Sequence, residues 1–144
     1  MTVDTASHLA APAPSKGLHL GLWIAQGLAG FAFLGAGATK LSTPIAELAT
    51  KMPWVTHFPE LAVRAIGAAE LAGALGLVLP SALRIQPRLT PLAAVGLVLV
   101  MLGAAGTHVA LGEAAMMAPS LILGGLSAFI AWGRGVKAPI APRA

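Results

Sequence analysis

The chain alternates long apolar segments with short polar ones. The apolar segments cover about residues 18–41, 61–79, 91–111 and 115–132. Each holds roughly 18 to 24 residues, enough for a helix rising about 1.5 Å per residue to cross a hydrocarbon core about 30 Å thick. A lone strand would leave its backbone groups unpaired in lipid, so helices are the only option. The pattern therefore predicts an all-α fold, a four-helix transmembrane bundle over residues 18–133.

The loop between the first two predicted spans contains a helical pattern of its own. Apolar residues recur at helical spacing over residues 44–52, Pro53 stops the pattern, and Trp54 and Phe58 follow. This spacing favours a short amphipathic helix that lies on the membrane surface or dips into it. The alternative is a plain solvated loop.

The two ends of the chain have the composition of tails. Residues 1–17 carry prolines and serines and predict a disordered leader. A cleaved signal peptide is not expected, because the apolar run that follows is long enough to remain in the bilayer. Residues 134–144 predict a C-terminal tail. Between the tails, glycine and alanine are dense on every span, and such small residues let membrane helices approach closely.

The composition supports a membrane location. The chain of 144 residues is 57% hydrophobic and 10% charged, whereas a soluble domain carries about 25% charged residues. So few charges cannot cover a water-exposed globule, and the lipid bilayer is the expected partner. A net charge of +4, scattered along the chain, does not indicate nucleic-acid binding. The absence of cysteine excludes disulfides, thiolate catalysis and iron–sulfur ligation.

The basic residues predict an orientation. Those expected on the side of the chain termini are Lys16, Arg84, Arg88, Arg134, Lys137 and Arg143, and those on the other side are Lys40, Lys51 and Arg64. Loops on the cytoplasmic side carry the excess of lysine and arginine. We therefore expect a multi-pass protein of the cell's inner (plasma) membrane with both termini in the cytoplasm. The sequence leaves homo-oligomerisation and a partner protein open.

Five strongly polar residues lie within or at the edges of the spans: Gln26, Lys40, Arg64, Glu70 and His108. A charge in a spanning helix costs several kcal/mol and normally faces the bundle interior. At about 1.5 Å per residue, Lys40, Arg64 and His108 share one level near the outer face, and Glu70 is near the midplane. Gln26 is expected at a depth similar to that of Glu70, on another helix. Together they predict a polar pocket that opens outward.

Each of these residues has two interpretations. Glu70 is either a functional proton acceptor or a structural carboxylate bonded to Gln26. Lys40 and Arg64 either bind an anionic or carbonyl group of a ligand or only extend to the interface.

His108 is the second catalytic candidate, as a base or a proton relay, although a single histidine at a span end often only bonds a neighbour. Haem is not expected, because His19 is near the opposite face and a bis-histidine site needs two matching ligands. The sequence has no cluster of carboxylates that would predict a metal site, and it contains no recognisable catalytic motif.

Two segments resemble a known family. The first span ends in Gly-Ala-Gly-Ala-Thr-Lys-Leu at residues 35–41, and the second begins with Arg-Ala-Ile-Gly-Ala-Ala-Glu at residues 64–70. A glycine-rich first helix ending in lysine, followed by an Arg-x-x-Gly-x-x-Glu helix, is similar to the DoxX-like family of four-helix membrane proteins. The resemblance covers about residues 18–132, and His108 in Gly-Thr-His also fits it.

The resemblance leaves three functional hypotheses open. The family's namesake is a membrane subunit of a thiosulfate:quinone oxidoreductase, which implies a redox-associated subunit that binds a quinone or another small lipophilic ligand and contacts a redox partner protein. Glu70 would accept a proton, and Arg64, Lys40 and His108 would be polar clamps. The second hypothesis is a stand-alone membrane enzyme using acid–base chemistry at Glu70 and His108. The third is a non-catalytic scaffold or assembly factor.

Overall fold

The computed structural model describes residues 14–143, and in that range it contains helices and turns but no strand. The helices are α1 (Lys16–Ser42), α2 (Ile45–Lys51), α3 (Glu60–Leu83), α4 (Leu89–Ala110) and α5 (Ala118–Trp132). Two 3-10 turns cover Pro53–His57 and Ala114–Met117, and a π-helical turn over Gly133–Lys137 continues α5. Four helical stretches are long and apolar enough to cross a membrane: α1, α3, α4, and α5 together with the two turns that flank it. The predicted all-α bundle is therefore confirmed.

The four long helices form a closed ring. α1 packs most closely against α3, α4 packs against α5, and the α3/α4 and α1/α5 contacts complete the ring. The core consists of Ala25, Ala29, Phe33, Ala74, Leu77, Ala94, Leu97, Met101 and Ile130. The outer surface is apolar as well: Phe31 and Leu61 are 82% and 80% exposed. A bundle that is apolar on both its inside and its outside is suited to lipid rather than water.

The helix ends differ from the predicted spans by a few residues. α1 begins at Lys16, inside the predicted leader, of which residues 1–13 lie outside the described range. α3 continues through Pro80 and ends where Arg84 adopts a left-handed conformation at φ 57°. Membrane helices tolerate an internal proline because neighbouring groups satisfy the freed carbonyl. At the other end of the chain, Arg134 and Ala138 of the predicted tail are buried against the bundle.

The first loop contains the predicted short helix. α2 has seven residues, and its buried Leu48 packs with Val55 and Val63 into a small core separate from the main one. Behind α2, the rings of Trp54 and Phe58 pack edge to face with centroids 5.8 Å apart. The loop is thus a folded cap over one end of the bundle.

α1 and α3 cross at two glycines. A Cβ atom on Gly37 would lie 2.6 Å from the carbonyl oxygen of Gly67 and 2.8 Å from the backbone nitrogen of Leu71. A Cβ on Gly67 would lie 2.7 Å from the Cβ of Lys40. These distances leave no room for a side chain, so the two backbones are in direct contact. Small residues at such crossings are typical of membrane helices.

We expect Gly37→Ala to destabilise the protein by about 1–3 kcal/mol, because the new methyl group meets backbone atoms that cannot move aside. The matched control is Gly35→Ala on the same helix, where an added Cβ meets nothing within 4 Å. That control should be neutral or stabilising by roughly 0.5–1 kcal/mol, because alanine favours the helix. Unfolding in detergent measures both. Equal stability of the two variants would contradict the close crossing.

Candidate functional site

Lys40 and Glu70 form a buried ion pair between α1 and α3. The Lys40 Nζ lies 2.7 Å from the Glu70 Oε2, and the two side chains are 7% and 4% exposed. Each residue follows its crossing glycine by three positions, Gly37 before Lys40 and Gly67 before Glu70. Residues three apart share a helix face. The glycine crossing therefore turns both charges toward each other.

A cavity of about 400 Å³ lies beside this pair. Lys40 and Glu70 belong to one wall, and residues of α4 and α5 form the opposite wall, including Met101, Ala104 and Leu123. Trp54 and Phe58 of the first loop contribute an aromatic side. The lining is mainly apolar, and its polar members are Lys40, Glu70, Thr107, His108 and Ser120. We call the end of the bundle that contains this space the cavity end.

His108 lines the same cavity and bonds to Glu113. Its Nδ1 lies 3.0 Å from the Glu113 Oε2, and the two side chains are 14% and 31% exposed. Gly112, at φ 72°, turns the chain so that the Glu113 amide donates to the His108 carbonyl over 2.8 Å. That turn brings Glu113 back to the ring. Sequence reasoning missed Glu113, and the glycine after α4 was the available signal.

Arg64 does not line the cavity. Its Nη1 donates to the carbonyl oxygen of Lys40 and, over 2.7 Å, to that of Thr43. Its Nη2 also pairs with Glu60 at 2.9 Å. The last carbonyls of a helix lack intrahelical partners, and Arg64 supplies donors to them at the end of α1. It therefore fixes the backbone at Lys40 rather than extending into the site.

Gln26 lies apart from the other four predicted site residues. Its Nε2 donates to the Leu77 carbonyl over 2.5 Å, and its Oε1 accepts from the Arg134 Nε over 2.7 Å. Leu77 is seven residues beyond Glu70, about 10 Å along α3. Gln26 is thus bonded to Arg134 and not to Glu70. Arg134, expected in the tail, is a buried residue that sequence reasoning missed.

The structure therefore brings Lys40, Glu70 and His108 to one cavity, with Arg64 behind it. This arrangement offers an ammonium, a carboxylate and an imidazole within a mostly apolar space, which can hold a small apolar molecule by a polar end. Within residues 14–143, no three His, Cys, Asp or Glu side chains are grouped closely enough to hold a metal ion.

Comparison with known families adds one finding. The model of a family described as DoxX-like matches residues 24–130, which is more than half of the chain. The matched range contains every residue that lines the cavity. No curated protein and no solved structure is similar enough to this chain to count as a match.

We expect Lys40→Met to destabilise the protein by about 3–5 kcal/mol, because it leaves the Glu70 carboxylate buried without a partner. Replacing both residues, as Lys40→Met with Glu70→Leu, should recover most of that loss, since no charge is then left in the interior. Unfolding of the two single variants and the double variant in detergent measures the coupling.

The matched control is the exposed Lys51–Glu47 pair, whose Nζ and Oε1 are also 2.7 Å apart. Lys51→Met should change stability by no more than about 1 kcal/mol. A Lys40→Met variant as stable as Lys51→Met, or a double variant no better than the single ones, would argue against the buried pair.

Proposed function

The chain belongs to the DoxX-like family, and we propose that it is a redox-associated membrane subunit that binds a quinone or a similar small lipophilic ligand in the cavity beside Lys40 and Glu70. The observation that carries the proposal is the ion pair in the wall of a mainly apolar space. A ligand with an apolar body and a carbonyl end would match both kinds of surface.

The dimensions of the cavity fit a small ligand. Its volume of about 400 Å³ lies at the lower end of the range of about 300–1,000 Å³ that small-molecule pockets occupy. A single substituted ring is therefore a better match than a large polycycle. Trp54 and Phe58 offer flat apolar faces against which a ring can stack. A lipophilic ligand would reach the site from the bilayer.

In this proposal the ion pair has two tasks. The Lys40 ammonium has three donors and uses one of them on Glu70, so it can also donate to a carbonyl oxygen of the ligand. Glu70, next to it, would accept or return a proton. A bound quinone would supply the two-electron chemistry, and a redox partner protein would exchange the electrons. Arg64 is a positioning residue, because it bonds the Lys40 backbone.

His108 and Glu113 would carry protons between the cavity and the aqueous side. The bond between the His108 Nδ1 and Glu113 holds the ring in one orientation and leaves Nε2 for another partner.

We further propose the inner membrane as the location, with the termini in the cytoplasm and the cavity end on the opposite side, in line with the excess of basic residues at the terminal end.

The His108–Glu113 pair favours a second candidate function, a stand-alone enzyme. A histidine oriented by a carboxylate is a common general base, and His108 with Glu113 has this form beside Glu70 in one cavity. Such an enzyme would act on a small lipophilic substrate by proton transfer, without a redox partner. A non-catalytic scaffold is the third candidate, since the Lys40–Glu70 pair also holds α1 against α3.

Blocking the cavity tests the proposal. Gly103 lines it, and an added Cβ there meets nothing within 4 Å. We therefore expect the leucine side chain of Gly103→Leu to occupy part of the cavity. Trp54 also lines it, so a short-chain quinone bound there should quench tryptophan fluorescence in a saturable way. We expect Gly103→Leu to weaken this binding at least about tenfold, equal to a loss of about 1.4 kcal/mol.

The matched control is Gly106→Leu on the same helix. Gly106 is exposed like Gly103, and an added Cβ there also meets nothing within 4 Å, but Gly106 does not line the cavity. It should bind as the unmodified protein does. If both variants are quenched like the parent, the quinone is merely dissolved near the protein and the proposal fails. Turnover of a lipophilic substrate by the purified protein alone, lost in both His108→Asn and Glu113→Gln, would favour the enzyme candidate instead.

A further inference from the structure

The two ends of the bundle differ completely in how their charges are paired. At the cavity end every lysine and arginine has a carboxylate partner, and so does His108. The pairs are Lys40–Glu70 at 2.7 Å, Lys51–Glu47 at 2.7 Å, Arg64–Glu60 at 2.9 Å and His108–Glu113 at 3.0 Å. These pairs use all four glutamates of the chain.

The opposite end is basic throughout its described part. It carries the other six of the nine lysines and arginines: Lys16, Arg84, Arg88, Arg134, Lys137 and Arg143. No carboxylate side chain of residues 14–143 lies there, because the four glutamates are paired at the cavity end. The chain folds back across this end, where the Arg143 amide donates to the Arg84 carbonyl over 2.8 Å. We call this surface the basic end.

Arg134 is the buried cation of the basic end. It is 3% exposed, its Nε bonds Gln26, and its guanidinium carbon lies 5.1 Å from the centre of the Trp23 ring. Its Nη1 contacts the His19 Nδ1 at 3.1 Å and the Ala138 carbonyl at 3.3 Å. Its Nη2 is buried and has no partner among the described residues. A buried guanidinium without a counter-charge is costly in this environment.

His19 shows the same shortage of acceptors. The Trp23 Nε1 donates to its Nε2 over 3.2 Å, while Arg134 approaches its Nδ1. Tryptophan and arginine are donors only, and a neutral imidazole has one acceptor nitrogen, whichever way the ring is turned. Only one of the two bonds can therefore form. The group of Trp23, His19 and Arg134 has more donors than acceptors.

We propose that His19, Arg134 and the neighbouring Lys16 and Lys137 bind the phosphate group of an anionic membrane lipid. A phosphate oxygen would supply both the acceptor and the negative charge that this group lacks, and arginine matches phosphate geometry well. Lys16 is three residues before His19 and Lys137 three residues after Arg134, and both are exposed. His19 is exposed as well, so its ring can move and open the guanidinium to a headgroup.

A lipid fits better than free phosphate because of what surrounds the group. Leu20 and Ile24 on α1 and Val136 after α5 are exposed by 62%, 54% and 69%. These side chains offer an apolar surface for acyl chains next to the basic residues. Anionic lipids also concentrate at the cytoplasmic leaflet, where basic residues attract them. The inference does not depend on the function proposed for the cavity.

The test compares phosphatidylglycerol with phosphatidylcholine on the purified full chain in detergent. Native mass spectrometry counts retained lipid, and thermal unfolding reports stabilisation. We expect phosphatidylglycerol to be retained preferentially and to raise the unfolding midpoint. Lys16→Gln with Lys137→Gln, both exposed, should lower that preference by about 25-fold, at about fivefold per cation. Arg134→Gln should abolish it.

The matched control is Arg88→Gln with Arg143→Gln, which removes two exposed cations from the same end. Neither of them is a hydrogen-bonding or ring partner of Arg134 or His19. It should keep the preference. An equal loss in both double variants would show diffuse attraction and overturn the site. Equal retention of both lipids would overturn it as well. If inorganic phosphate at the same concentration stabilises the protein as strongly as phosphatidylglycerol, the lipid assignment is wrong.

Discussion

A charge inside hydrocarbon is costly unless an opposite charge or other polar groups are held against it, and Lys40 and Glu70 partner each other because α1 and α3 touch at Gly37 and Gly67. With larger side chains at those two positions the helices would stand further apart, and each charge would lose its partner. Arg64 stabilises the same place from outside, since it bonds the carbonyls at the end of α1. The two glycines, the ion pair and Arg64 thus all act on the contact between α1 and α3.

The position of the Lys40–Glu70 pair also determines the polarity of the cavity. Without Lys40 and Glu70 the space between the helices would be a mainly apolar void, suited to any small hydrophobic molecule. With them it presents an ammonium and a carboxylate to one side, and His108 with Glu113 adds a second polar pair. The proposed ligand, apolar in its body and polar at one end, follows from this combination. At the basic end, by contrast, the cations lack carboxylate partners, and there the lipid itself is the proposed partner.

The sequence predicts the parts of this structure that depend on rare or periodic residues. Four long apolar runs define the membrane helices, and helical spacing in the first loop indicates α2. Lys40, Glu70 and His108 stand out because strongly polar residues are rare in spans, and the cavity contains all three. The sequence also predicts how deep in the membrane a helical residue lies. It does not predict which neighbour the residue's helix face packs against, or where a long side chain ends. For that reason the sequence predicts Arg64 in the pocket, whereas in the structure it is bonded to carbonyls behind the pocket.

The missed residues depend on backbone geometry that the sequence pattern does not reveal. Gln26 bonds Leu77 and Arg134 because the packing of α1 against α3 and α5 sets its neighbours. Arg134 enters the bundle because a π-helical turn continues α5 beyond Trp132. Glu113 reaches His108 because Gly112 adopts a positive φ. In each case the backbone conformation or the helix packing decides which groups meet.

The proposed function requires that the space beside Lys40 and Glu70 holds the ligand. A photoreactive short-chain quinone, irradiated with the protein in bilayers and mapped by peptide mass spectrometry, tests this most directly. We expect labelling of the segments that line the cavity, around Lys40, Trp54 and Ala104, and loss of that labelling with excess unlabelled quinone. Labelling confined to lipid-facing residues such as Phe31 and Leu92, unaffected by competitor, would contradict it.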